Sequence, residues 1–241
     1  MPYQIPFIDW IALAIFFGVW FTYTWFADHS RWSGKSLPSV MNFHHTRWMR
    51  EVLQREIRVP DTIVMGNFVQ SAVFFASTAI LIIGGLVAAL GASDRVLGAI
   101  AALPFVSPTP QGLWGLKVAS AIAVYIYAFV KFIWAVRLAN YSAILFSAAP
   151  FNAGKFSEEY AVELGKMIGL FDLHFNHGLR ANFFALAMLA WWINPYFFIA
   201  STGMVLYVLY RREFRSKSLL AVNRLRKIAN KNIIQSDPKI S

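Results

Sequence analysis

Hydrophobic positions in this chain gather into long runs: residues 7–26, 62–90, 118–136 and 179–210 are almost wholly apolar. About 20 such residues in a row are what a helix needs to cross a hydrocarbon core about 30 Å thick. A helix also satisfies its own backbone polar groups in lipid. The pattern predicts an all-α, polytopic membrane helix bundle. The last run is too long for one upright span, about 48 Å at 1.5 Å per residue. Its middle, Trp191-Trp192-Ile193-Asn194-Pro195-Tyr196, carries the rings and turn residues expected at a membrane surface. It reads as a tight helical hairpin; a single tilted helix kinked at Pro195 is the other solution.

Charge chooses between them. Lys and Arg number six in residues 27–61, one in 91–113, three in 148–180 and nine in 211–241. Cytoplasmic loops should be the basic ones. With the hairpin, giving about five spans, all three basic segments share the cytoplasmic side, with the N-terminus and residues 91–113 outside. That predicts a multi-pass protein of the cell inner (plasma) membrane, its membrane domain covering residues 1–214 with cytoplasmic loops at 27–61 and 148–180. A basic amphipathic cytoplasmic tail would follow at 215–241.

The segments between the runs look interfacial. Residues 27–41 read as a loop. From Asn42 a helix is expected, with Trp48, Met49, Val52, Leu53 and Ile57 on one side and arginines on the rest. Such a helix suits the headgroup layer. Pro60 should end it and Asp61 cap the next. Residues 113–149 read as one long helix. Residues 157–170 read as an amphipathic helix capped by Ser157, with Glu158 and Glu159 in its first turn, and salt bridges to the basic helices are expected there. Residues 211–234 read as a surface helix held to anionic lipid headgroups.

Composition agrees with the pattern: 58% of residues are hydrophobic and 14% charged, with mean hydropathy +0.51. A net charge of +10 would suit nucleic acid, but the basic residues flank apolar spans and no nucleic-acid motif accompanies them, so no nucleic-acid partner is expected. There is no cysteine, hence no disulfide, thiolate metal site or cysteine nucleophile. The first run has no basic stretch before it and no small-residue cleavage site after it, so it reads as a retained span.

Candidate chemistry is sparse. His44-His45 and His174/His177 form two pairs, with Asp172 near the second. A transition metal such as zinc could draw on His44, His45, Asp172, His174 and His177, although no HExxH spacing supports it and adjacent histidines diverge on a helix. No cofactor is otherwise predicted. Asn67, Gln70, Lys117, Lys131 and Arg137 are the polar groups a small-anion path would use, Lys117 and Lys131 falling on one helix face. The spans lack interior carboxylates, Asp9 sitting at an extreme end, which disfavours proton- or sodium-coupled transport. Small residues recur every four positions at Ala14, Gly18 and Thr22, and fall in the same four-residue phase at Ala72, Ala76, Gly84 and Ala88, spacing that lets helices approach closely.

Three stretches carry a resemblance: Arg47-Trp48 after the first basic loop, Ile63-Val64-Met65-Gly66-Asn67 opening the second run with its small residues to Gly85, and Val208-Leu209-Tyr210 closing the hairpin. On these, over most of residues 7–214, the chain resembles the plant and bacterial multi-pass membrane family catalogued as domain of unknown function 599. The resemblance implies the fold and the membrane location, and no activity or functional residue. The expected function is that of a non-enzymatic integral membrane protein that self-associates or packs as a subunit of a larger membrane complex. The alternatives are a channel or carrier for a small anion and a cytoplasmic-face metal-dependent enzyme.

Overall fold

The computed structural model describes residues 5–101, 109–151 and 154–236. Among them every regular element is helical: α1 (Phe7–His29), α2 (Leu37–Leu53), α3 (Val59–Gly91), α4 (Ser93–Ala101), α5 (Gln111–Ala148), α6 (Ser157–Met188), α7 (Pro195–Phe214) and α8 (Lys217–Ser236), with short 3-10 turns at Ser33–Lys35, Gly154–Phe156 and Leu189–Trp192. Three helices are long and apolar enough to cross a membrane, namely α1, α3 and α5. The all-α membrane bundle is therefore the observed architecture. Pro104, Pro108 and the last five residues lie outside the described residues.

The hairpin forms where the turn chemistry sits. Asn194 Oδ1 accepts from the Tyr196 N–H at 2.8 Å, capping α7, whose first residue is Pro195. The chain then folds back: Ser201 Oγ donates to the carbonyl of Ala187 on α6 at 2.9 Å. A single kinked helix is thereby excluded. The two arms are not among the three long apolar helices, because α6 carries His174, Asn176, His177, Arg180 and Asn182 while α7 ends in Arg211, Arg212 and Glu213.

Four boundaries differ from expectation, each for a local reason. α2 starts at Leu37 rather than Asn42, because Ser36 caps it, accepting from the Ser39 N–H, and Pro38 fits its first turn. It ends at Leu53, so Ile57 lies beyond it and is 72% exposed. Asp61 lies in the first turn of α3, where its carboxylate receives Trp48 Nε1 at 2.7 Å and Arg55 Nη1 at 2.9 Å. The expected amphipathic helix at 157–170 and the first hairpin arm are one continuous helix, α6.

The chain divides into two compact units: residues up to Trp25 with Ser71–Trp134 and His174–Leu209, and Phe26–Gln70 with Ala135–Leu173 and Tyr210 onward. The first has an aromatic core. Phe16 packs on Phe184 and Phe198, Trp20 meets Tyr127 edge-on, and Trp191 stacks on Phe198 at 4.9 Å. Gly178 lets α6 approach Phe132 so closely that an added Cβ would sit 2.6 Å from its ring. At one end Lys117 Nζ donates to the Trp191 carbonyl at 2.8 Å, and Trp191 Nε1 donates to Asp9 Oδ1 at 2.6 Å, all three residues being buried.

The second unit is built on α2, α6 and the ends of α3 and α5, around Met49, Val52, Leu53, Met65, Phe146, Leu164 and Ile168. Arg58 caps the last turn of α5 through the carbonyls of Phe146 and Ala149. The expected salt-bridged packing is present as a bidentate fork from Arg50 to Glu158, which holds the Glu158 carboxyl below its ordinary range. α8 packs on α2, with His44 Nε2 at 3.3 Å from the Val222 carbonyl and Arg226 over the Phe43 ring.

Candidate functional site

The polar stripe of α2 decides where a site can form. Ser36, Ser39, Asn42 and Thr46 recur at helical spacing. Along them α6 presents Gly165 and Gly169, also four residues apart. An added Cβ at Gly165 would meet Thr46 Cα at 2.8 Å, and one at Gly169 would meet Asn42 Oδ1 at 2.8 Å. Glycine is the residue that permits this approach.

Next to the contact lies a cavity of about 160 Å³ whose walls include Asp28 from α1, Ser33, Ser36, Ser39 and Asn42, and Asp172 from α6. No basic side chain is among its walls. A second cavity of about 430 Å³ shares Asn42, Gly169 and Leu173 with the first and extends past Thr46 and Gly165. Asp172 touches His45: Nε2 and Oδ2 are 3.5 Å apart, and the His45 side chain is almost fully buried. Burial disfavours charge on both groups. It pulls His45 down to about 4, with the nearby His44 adding to the effect, and it pushes Asp172 up to about 6.

These shifts have opposite consequences for stability. A histidine whose folded pKa is depressed stabilises fully above its unfolded value of 6.5 and loses that contribution as the pH falls toward 4. A carboxyl whose folded pKa is raised does the reverse, gaining stability as the pH falls from about 6 toward 3.8. The two slopes oppose across the same window. Asp172→Asn is therefore expected to make the fold acid-sensitive between about pH 6.5 and 4, losing about 3 kcal/mol relative to its own value at neutral pH through His45 alone. Thermal unfolding across that range, variant against parent, reads the difference. Identical profiles would contradict it.

The other predicted site residues fall as follows. His44 faces α8 and His45 faces Asp172, so the adjacent pair diverges. His174 and His177 lie together in the first unit with ring centres 6.2 Å apart, and His174 meets Trp134 edge-on. Among the described residues no group of three His, Asp or Glu side chains is placed to hold a metal ion. Lys117 is spent on the Trp191 carbonyl, Lys131 lies over Tyr127, and Arg137 donates to Tyr141 Oη at 2.9 Å. Asn67 and Gln70 are exposed on α3. None of these five lines either cavity.

Two features are invisible along the sequence. Arg180, 2% exposed, lies over the Tyr23 ring, and nothing in its neighbourhood along the chain marks it as interior. The cavity joins residues 28–42 to 169–172, and nothing along the sequence pairs these two stretches.

The family described as "Protein of unknown function, DUF599" matches the chain over residues 11–218. No curated protein and no solved structure matches it.

Proposed function

We propose that this chain, which belongs to the DUF599 family, is a helix-packing component of its membrane that associates with a second copy of itself through α1 and performs no chemistry of its own. The observation that carries this reading is the orientation of the small-residue stripe. Ala14, Gly18 and Thr22 all lie on the exposed side of α1, and a Cβ added at Gly18 would meet nothing. The opposite side, Phe16, Trp20 and Tyr23, is buried in the chain's own core. The stripe thus runs as a shallow groove between exposed Ile11, Ile15, Phe21 and Trp25. In lipid, where apolar helices gain little by leaving the acyl chains, close backbone approach at small residues is a main driving force for association.

The same reading puts the protein in the inner membrane with its basic segments cytoplasmic, on the charge asymmetry alone. α8 supports a headgroup location: Leu220, Leu225 and Ile228 are exposed beside exposed Lys217, Arg224 and Lys227.

The chain has no cysteine, so a single one reports cleanly. Ala14→Cys is expected to give a disulfide-linked dimer on mild oxidation in native membranes, and adding Gly18→Leu should abolish it by filling the groove. Absence of the dimer, or its persistence with Leu at position 18, would sink the proposal.

A further inference from the structure

Lys131 stands near the C-terminal end of the apolar part of α5, one of the three helices able to cross a membrane. Its Nζ lies 5.3 Å from the centre of the Tyr127 ring, and among the described residues no carboxylate pairs with it. A lysine at that depth is costly and points to a function when other polar groups converge on it. They come from α6. His174 meets the Trp134 ring edge-on, one turn along α5 from Lys131, and His177 lies beside His174. The charged groups felt at His174 are Lys131 and His177. The His174 ring makes no hydrogen bond among the described residues, and its Nδ1 is buried, an atom that proteins rarely leave unmet. A metal ion is a poor occupant, because no third His, Asp or Glu joins the two histidines among the described residues.

We propose that Lys131, His174 and His177 form the headgroup site of one anionic phospholipid, whose phosphate reaches them from the bilayer beside α5. A lysine takes a phosphate as a point charge, and an imidazole N–H donates to its oxygens whether the ring is charged or neutral. Basic pockets between membrane helices hold anionic headgroups in this way. The surroundings single out a lipid rather than a free anion. Trp134 is exposed beside the cluster, a ring suited to headgroup depth. From there exposed Val130 and Ile126 run at helical spacing toward the middle of α5, where an acyl chain would lie with its phosphate at Lys131. The groups felt at His174 include no carboxylate to receive choline or ethanolamine, so the favoured head carries no cation, phosphatidylglycerol being a simple case. None of these residues belongs to the α1 stripe, so the site is independent of self-association.

The test uses native mass spectrometry of the full chain, stripped of lipid in detergent and titrated with phosphatidylglycerol, with phosphatidylcholine as the zwitterionic counterpart and inorganic phosphate as competitor. One phosphatidylglycerol per chain is expected to bind about ten-fold or more tighter than phosphatidylcholine and to stay bound in excess phosphate. Lys131→Met and His174→Phe should each weaken it about ten-fold or more, the worth of one hydrogen bond to a charged group. Circular dichroism of each variant shows that it is folded, and if one is not, the other decides. Arg224→Gln with Lys227→Gln, on the exposed side of α8, should leave the tight lipid in place. Equal binding of the two lipids, unchanged affinity in a folded Lys131 or His174 variant, or loss of the tight lipid on changing α8 alone would each overturn the proposal. Displacement by inorganic phosphate would overturn it too, identifying a free anion as the ligand.

Discussion

Gly165→Ala is expected to be among the most destabilising single-methyl changes in the protein. The new Cβ would lie 2.5 Å from Thr46 Oγ1, 2.8 Å from Thr46 Cα and 3.0 Å from the Thr46 backbone nitrogen. A side chain could swing away, but two of the three atoms are backbone of α2, so the helices themselves must part. Overpacking of this kind costs about 3 kcal/mol. Thr46→Ala should not rescue it, because Cα and the nitrogen stay where they are. Gly169→Ala should cost less, since the atoms it meets belong to the Asn42 side-chain amide. Gly66→Ala, where a Cβ meets nothing, should be neutral or stabilise α3 by up to about 1 kcal/mol. Thermal unfolding of the full chain in one detergent ranks all four. Equal midpoints for the Gly165 and Gly66 variants would show that α2 and α6 are not in close contact.

The second large effect is expected at the buried end of the aromatic unit. Lys117→Met removes the donor to the Trp191 carbonyl and the cation that acts electrostatically on Asp9. Asp9 is 2% exposed and then keeps only Trp191 Nε1 among the contacts described for it. Breaking one side of a buried charge pair costs about 3–5 kcal/mol, mostly the penalty of the charge left behind. The double variant Lys117→Met with Asp9→Asn removes both charges, while the isosteric amide still offers an oxygen that can accept from the indole. It should recover most of the loss. Protease resistance and thermal midpoint of the two singles and the double form the test, and simple additivity would contradict the coupling.

Much of this fold is legible along the chain because its determinants are local. The apolar runs that become α1, α3 and α5 each satisfy the length rule by themselves. The hairpin break is written in Asn194-Pro195, a cap and a first-turn residue side by side. Legibility fails where local signals compete with packing. Residues 171–178 fall between the helix expected at 157–170 and the apolar run from 179, yet they are the middle of one helix, and Asp172, Asn176 and His177 have partners there. The start of α2 is hidden because Pro38 reads as a loop residue, whereas behind Ser36 it is a first-turn residue.

The candidate site is hardly legible. His45 and Asp172 both belong to the suspected metal set, but its other members are directed elsewhere. Asp28, Ser33, Ser36 and Ser39 fall in a stretch that reads as a plain cytoplasmic loop. Only the helix contact through Gly165 and Gly169 brings these separated stretches together, and no periodicity within either stretch encodes that pairing.

The central claim, that α1 carries an association surface, is tested most directly by a native mass spectrum of the protein gently extracted from its own membrane, parent against Gly18→Leu. The parent is expected to appear as more than one copy of the chain, and the variant as a single copy with unchanged helix content. A parent that flies as a bare single chain would contradict the claim.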